Sequence, residues 1–184
     1  MQIFRLKSKK GKAEKRKASF LKNEQGVTVI EFGLLAFPFF GLLAVILETA
    51  LIFIAGIVLD SAVDDGVRLI RTGQAQEANF NANNFRDAIC AGTVQMFDCN
   101  ELKIRVRVVN NFRQSNSVTQ FINPVDGSWR NVTSYDDGSG TSIILAEVYY
   151  KWKPVVTLRW FNIGALADGT RLLGAARVWR NEPF

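Results

Sequence analysis

The residue types that could do chemistry are few. The chain holds no histidine, which removes the imidazole base of Ser-His-Asp and Cys-His catalysis and imidazole metal sites together. Asp136 and Asp137 adjoin a Gly-Ser-Gly turn, where a calcium loop is conceivable. The spacing departs from an EF-hand, however, and an Asx-rich turn explains it better. Trp129, Trp152, Trp160 and Trp179 could form a binding platform, but core and sheet-face packing is the commoner use of such rings. No catalytic residue, metal ligand set, cofactor or small-molecule substrate follows, and the expectation is a protein that is not an enzyme.

Four residues remain that composition does not explain. Cys90 and Cys99 stand nine positions apart, while Glu31 and Glu48 interrupt a long apolar run. What each pair can do depends on the elements that hold it and on the side of a membrane it occupies.

Charge gives the first clue. Residues 1–26 carry nine Lys/Arg against Glu14 and Glu24, a net of +7, so a chain of net +6 leaves −1 for residues 27–184. Such basic runs bind nucleic acid in some proteins. Beside an apolar span, a basic flank instead holds its own end in the cytoplasm by the positive-inside rule. Residues 1–26 therefore read as an unstructured cytoplasmic leader, and no nucleic-acid partner is expected.

Phe32–Leu47 and Thr49–Leu59 contain no charge, and with Glu48 they make 28 residues, roughly 42 Å of helix at ~1.5 Å per residue. A bilayer core needs only ~20 residues, so the helix is expected to span the membrane and project beyond it. A cleavable secretory signal fits poorly, because its apolar region should be only ~7–15 residues with a small-x-small site behind it. Pro38 lies inside the run and predicts a local kink, which membrane helices tolerate.

Past Leu59 the pattern becomes amphipathic. Leu59, Ala62, Val63, Gly66, Val67 and Ile70 form one stripe opposite Asp60, Asp64, Asp65, Arg68 and Arg71, with Asp64 and Arg68 spaced for an i,i+4 pair. Gly73 is a suitable stop. One helix is predicted over Val27–Thr72, its stripe covering the sheet of the domain that follows.

Residues 74–184 then read as a small α+β domain with an antiparallel sheet. A short helix is predicted from Phe85 to about Phe97, capped by Asn83 or Asn84 with Cys90 on its inner face. Leu102–Val109 alternates as a half-buried strand, with Lys103, Arg105 and Arg107 on the polar side. Further strands are expected near Val118–Ile122, over Ser142–Trp152 and Val155–Phe161, and as an edge over Gly174–Arg180. If the N-terminus is cytoplasmic, the cysteines lie outside, where a Cys90–Cys99 disulfide would persist and restrain the unfolded chain by about 2.5–3 kcal/mol. Two buried thiols are the alternative.

Basic residues, then Gly26, four uncharged residues, Glu31 and a long apolar helix together resemble the class III signal of type IV pilins. The resemblance implies that an inner-membrane prepilin peptidase cuts between Gly26 and Val27, making Glu31 the fifth mature residue. Glycine lets an extended backbone enter a protease cleft without a side-chain clash. The new Val27 ammonium and the Glu31 carboxylate would then offset each other's burial.

A closer resemblance is to TadE/TadG-like proteins, minor pseudopilins of the Tad (Flp) pilus machinery. It rests on Gly-Val-Thr-Val-Ile-Glu-Phe (26–32), Pro38, Leu-Glu-Thr-Ala (47–50) and Ser-Ala-Val-Asp-Asp-Gly-Val-Arg (61–68). The cysteine pair and the closing Arg-Asn-Glu-Pro-Phe (180–184) are also similar. Asp64-Asp65 and Gly66 depart from the family pattern, where Ala/Arg-Glu and Ala are common.

The resemblance implies a single-pass inner-membrane protein with a pilin-like fold, its N-terminus cytoplasmic and its C-terminal domain periplasmic. Segments 1–26, 27–73 and 74–184 would be leader, helix and exterior domain. Its partners would be the prepilin peptidase, other Tad subunits and platform proteins. Glu31, Glu48 and Pro38 are candidate assembly contacts, although Glu48 could equally mark the outer membrane boundary. The rival readings are an uncleaved bitopic signal-anchor protein whose periplasmic domain binds a partner, and an anchored exterior hydrolase.

Overall fold

A computed structural model describes residues 27–112, 121–130, 133–155, 164 and 166–184. The basic leader with Gly26, the candidate strand residues 118–120 and most of Val155–Phe161, including Trp160, lie outside the described residues.

Helix α1 runs over Val27–Arg71 (45 residues) and continues through Pro38. It is followed by α2 (Gln74–Glu77), α3 (Ala82–Ala91), a 3-10 turn at Cys99–Glu101, and strands β1 (Lys103–Val109), β2 (Ile143–Trp152) and β3 (Arg171–Arg180). The strands form one antiparallel sheet in the order β1-β2-β3. The architecture is α+β, a long N-terminal apolar helix packed on a small three-stranded sheet.

None of residues 27–47 is buried. From residue 48 one side of α1 closes against the domain. Glu48, Ile52, Ala55, Leu59, Ala62, Val63, Gly66, Val67 and Ile70 are all buried. The stripe expected from Leu59 thus begins about three turns earlier, at Glu48. It joins Ile104 and Val106 of β1, Ile144, Ala146 and Val148 of β2, and Leu173, Ala175 and Trp179 of β3 in one apolar core. Non-directional burial of this surface is the main force holding helix to sheet.

Small residues set how closely α3 approaches. A Cβ at Gly66 would stand 2.9 Å from Ile89 and 3.3 Å from Phe85, so glycine at this position makes room for α3. The cap of α3 is Asn81, two residues before the earlier of the two expected positions. Its side chain accepts from the amides of Asn83 (2.8 Å) and Asn84 (3.1 Å), and the Asn84 side chain accepts from the Asn81 amide (3.1 Å). This reciprocal capping box uses the Asn-rich run at the helix start. The helix ends at Ala91, short of Phe97, and the chain then takes left-handed conformations at Val94 and Gln95.

The sheet's second face is also partly covered. Arg105, expected in solvent by alternation, is buried and paired with Glu147 on the facing strand. Phe121 lies over its guanidinium with 4.2 Å to the ring centre, and packs against Tyr149. A long-range ion pair and a covering loop are invisible to a period-two pattern.

Candidate functional site

Of the two glutamates in the apolar run, Glu48 is the one the domain holds. Its side chain is buried at 1% exposure. Oε2 accepts from the Val155 amide at 3.1 Å, and Oε1 accepts from the Trp152 indole Nε1 at 3.4 Å. A buried carboxylate is tolerated where donors replace its water, and these donors are the last residue of β2 and a residue three positions beyond it.

Trp152 is positioned there by an aromatic corner. Phe97 stands edge-on to Tyr150 (4.8 Å between ring centres) and to Trp152 (6.2 Å). The Cys90–Cys99 disulfide, with its Cα atoms 5.8 Å apart, ties the end of α3 to the turn beside Phe97. Neither sequence reading of Glu48, a boundary marker or a subunit contact, contains this intrachain arrangement.

Glu31 and Pro38 are exposed on α1, and Val27 is its first residue. Gly26 lies outside the described residues. The structure therefore brings Glu48 to the domain and leaves Glu31 and Pro38 on the helix surface.

A second junction closes the other end of α1. Asp64, spaced for Arg68, is instead held by Arg177 of β3 at 2.5 and 3.1 Å, and Asp60 joins the same guanidinium at 3.2 Å. The hydrogen bond from Arg177 to Asp64 raises the arginine's already high pKa further. The closing Arg-Asn-Glu-Pro-Phe, read from sequence as irregular, works as a latch. Asn181 accepts from Trp179 Nε1 (2.9 Å) and donates to the carbonyls of Asp137 (2.9 Å) and Ser139 (3.1 Å).

The Glu182 amide donates to the Arg71 carbonyl at 3.0 Å. The Phe184 ring lies over Gly73, where the φ of +83° disfavours a side chain and an added Cβ would stand 2.8 Å from that ring. Gly73 thus stops the helix as expected, with Phe184 as a second reason for glycine there.

Elsewhere the polar groups serve turns. Asp136 accepts from the Gly138 amide at 3.2 Å, and the Tyr135 hydroxyl donates to Asp137 at 3.3 Å. Burial, with Asp137 alongside, pushes that hydroxyl's pKa up. The Lys151 ammonium donates to Asp168 at 2.8 Å and helps hold its carboxyl down at about 2. Among the described residues, no three His, Cys, Asp or Glu side chains gather as a metal site.

Among the described residues one helix, α1, is long and apolar enough to cross a membrane, and its exposed first half fits a single-pass membrane protein. Residues 26–68 match the family model described as TadE-like protein. The match covers the Gly26–Glu31 motif, the whole exposed stretch and the buried stripe as far as Val67, and it is consistent with a TadE-like protein of the Tad pilus system. Comparison with curated proteins finds no match, and comparison with solved structures finds none.

Proposed function

We propose that the protein is a TadE-like minor pilin of the Tad (Flp) pilus, cut by a prepilin peptidase between Gly26 and Val27. It is anchored in the bacterial inner membrane with its N-terminus cytoplasmic and residues 74–184 periplasmic. Its role is structural, in priming or membership of the filament, and not enzymatic. The carrying observation is that the TadE-like match over residues 26–68 falls on a helix with two kinds of surface. Residues 27–47 are unburied. Beyond them Phe53 and Ile57, each 68% exposed, stay outward and apolar while Ile52, Ala55 and Leu59 face the domain.

An apolar face of that size on a domain-bound helix favours a partner over water. Neighbouring subunits' helices and platform proteins would supply it. Glu31, on the exposed stretch, is available to pair with the new Val27 ammonium of its own or an adjacent subunit.

Intact mass of the membrane form, from cells with and without prepilin peptidase, tests the reading. A chain beginning at Val27 only where the peptidase is present is the expected result. A chain that begins at Met1 in both would leave the uncleaved signal-anchor protein. In Glu31→Ala, cleavage is expected to survive more readily than piliation, and normal piliation would remove Glu31 from assembly.

A further inference from the structure

The end of β2 that binds Glu48 also walls a cavity of about 510 Å³. Trp152 and Val155, which both donate to Glu48, line it together with Met96, Asp98, Glu101 and Lys153. Its charges are mixed. Lys151, on one wall, is committed to Asp168 and to the Gly127 carbonyl, and Asp98 caps the Asn100 amide at 3.0 Å. Glu101 and Lys153 are exposed and make no ion pair among the described residues. Val155, 76% exposed, and Met96 add apolar surface to its lining.

Position narrows what such a cavity meets. Residues 27–47, about 31 Å of helix at ~1.5 Å per residue, match a hydrocarbon core of ~30 Å. Glu48 is the next residue, and it is hydrogen-bonded to two residues of the cavity wall. On the membrane-spanning reading, residue 48 follows the hydrocarbon core, and the cavity wall hydrogen-bonded to Glu48 meets the headgroup region, where Trp and Lys side chains are favoured. Two carboxylates, Asp98 and Glu101, disfavour a headgroup that carries only negative charge, while Lys153 offers a phosphate a partner.

We propose that this cavity takes the headgroup of a zwitterionic phospholipid, phosphoethanolamine, from the leaflet on the domain's side. Asp98 and Glu101 receive the ethanolamine ammonium and Lys153 the phosphate. The Trp152 indole, Met96 and Val155 meet the glycerol region. The site rests on the membrane-spanning reading of residues 27–47 and deepens it by naming a lipid partner for the domain.

The test uses the full chain in vesicles of equal phosphatidylethanolamine, phosphatidylglycerol and phosphatidylcholine. Flotation reports membrane insertion, and native mass spectrometry after mild extraction reports retained lipid. The expected result is a chain that floats and retains phosphatidylethanolamine over the other two. Retention should fall roughly tenfold in Asp98→Asn/Glu101→Gln and in Lys153→Gln, as for loss of a charge-assisted contact, with flotation unchanged.

A chain that fails to float contradicts the membrane-spanning reading itself. A chain that floats with no preference, prefers phosphatidylglycerol, or keeps its preference in both variants overturns the headgroup site alone. Because the charge variants are on exposed side chains, an unchanged thermal midpoint in each separates a binding defect from a folding one.

Discussion

Two stretches of one helix carry one glutamate each, and they treat it in opposite ways. Glu31 belongs to residues 27–47, none of which is buried. Glu48 opens the stretch whose inner side is domain core, and it is buried on an indole and an amide. Hydropathy alone makes the two stretches look alike, since Phe53 and Ile57 are as apolar and as exposed as Phe32 or Phe37. The difference lies in what their other sides touch. No residue of the first stretch is buried, which suits it to lipid. The second is half exterior and half domain.

Substitutions should separate these stretches in order of size. Leu59→Ala empties a site only 1% exposed and is expected to destabilise the domain by about 2–5 kcal/mol. Leu42→Ala, on the exposed stretch, should shift the domain's stability by less than about 0.5 kcal/mol. Denaturant unfolding of the detergent-solubilised full chain measures both. Equal effects would erase the distinction.

Gly66→Ala is the next largest. Its Cβ would stand 2.9 Å from Ile89, so overpacking should cost about 1–3 kcal/mol despite alanine's better helix propensity. A stabilised Gly66→Ala would mean that α3 can move away freely.

Arg177→Ala removes the pairs with Asp60 and Asp64 from partly exposed positions. Its expected cost is about 0–1 kcal/mol, shrinking as salt is added. The same salt series on the parent chain supplies the comparison.

The smallest effect is one of pH. Asp168 has its pKa lowered to about 2, chiefly by the Lys151 hydrogen bond. Its contribution is therefore fully present above the unfolded value near 3.8 and is lost as pH falls toward about 2. Fluorescence of Trp129, whose ring centre lies 5.2 Å from the Lys151 ammonium, should report this window. No change between those values would detach Lys151 from Asp168.

How much was legible in the sequence follows from which contacts are local. The helix over residues 27–71, the stripe from Leu59 and the stop at Gly73 were readable, because charges on the opposite side outline the stripe and glycine marks the end. The same stripe between Glu48 and Val58 was hidden, since the outward residues there are also apolar and no period stands out.

Strands β1 and β2 announced themselves by alternation, and β3 was expected only as an edge over Gly174–Arg180, three residues short of its start at Arg171. Arg105 did not, because its partner Glu147 and its cover Phe121 come from elsewhere in the chain. Glu48 was conspicuous as a misplaced charge, but Trp152 lies 104 positions away. The closing latch was visible only as a resemblance. Its contacts, Asn181 to Asp137 and Phe184 to Gly73, are likewise set by tertiary placement.

The division of the helix is tested most directly by the domain's unfolding midpoint in Glu31→Ala and Glu48→Ala, measured side by side in the full chain. Glu48→Ala strands the Trp152 and Val155 donors and is expected to cost about 1–3 kcal/mol, while Glu31→Ala leaves the midpoint where it was. Equal shifts, or a larger shift in Glu31→Ala, would contradict a helix whose domain-bound half begins at Glu48.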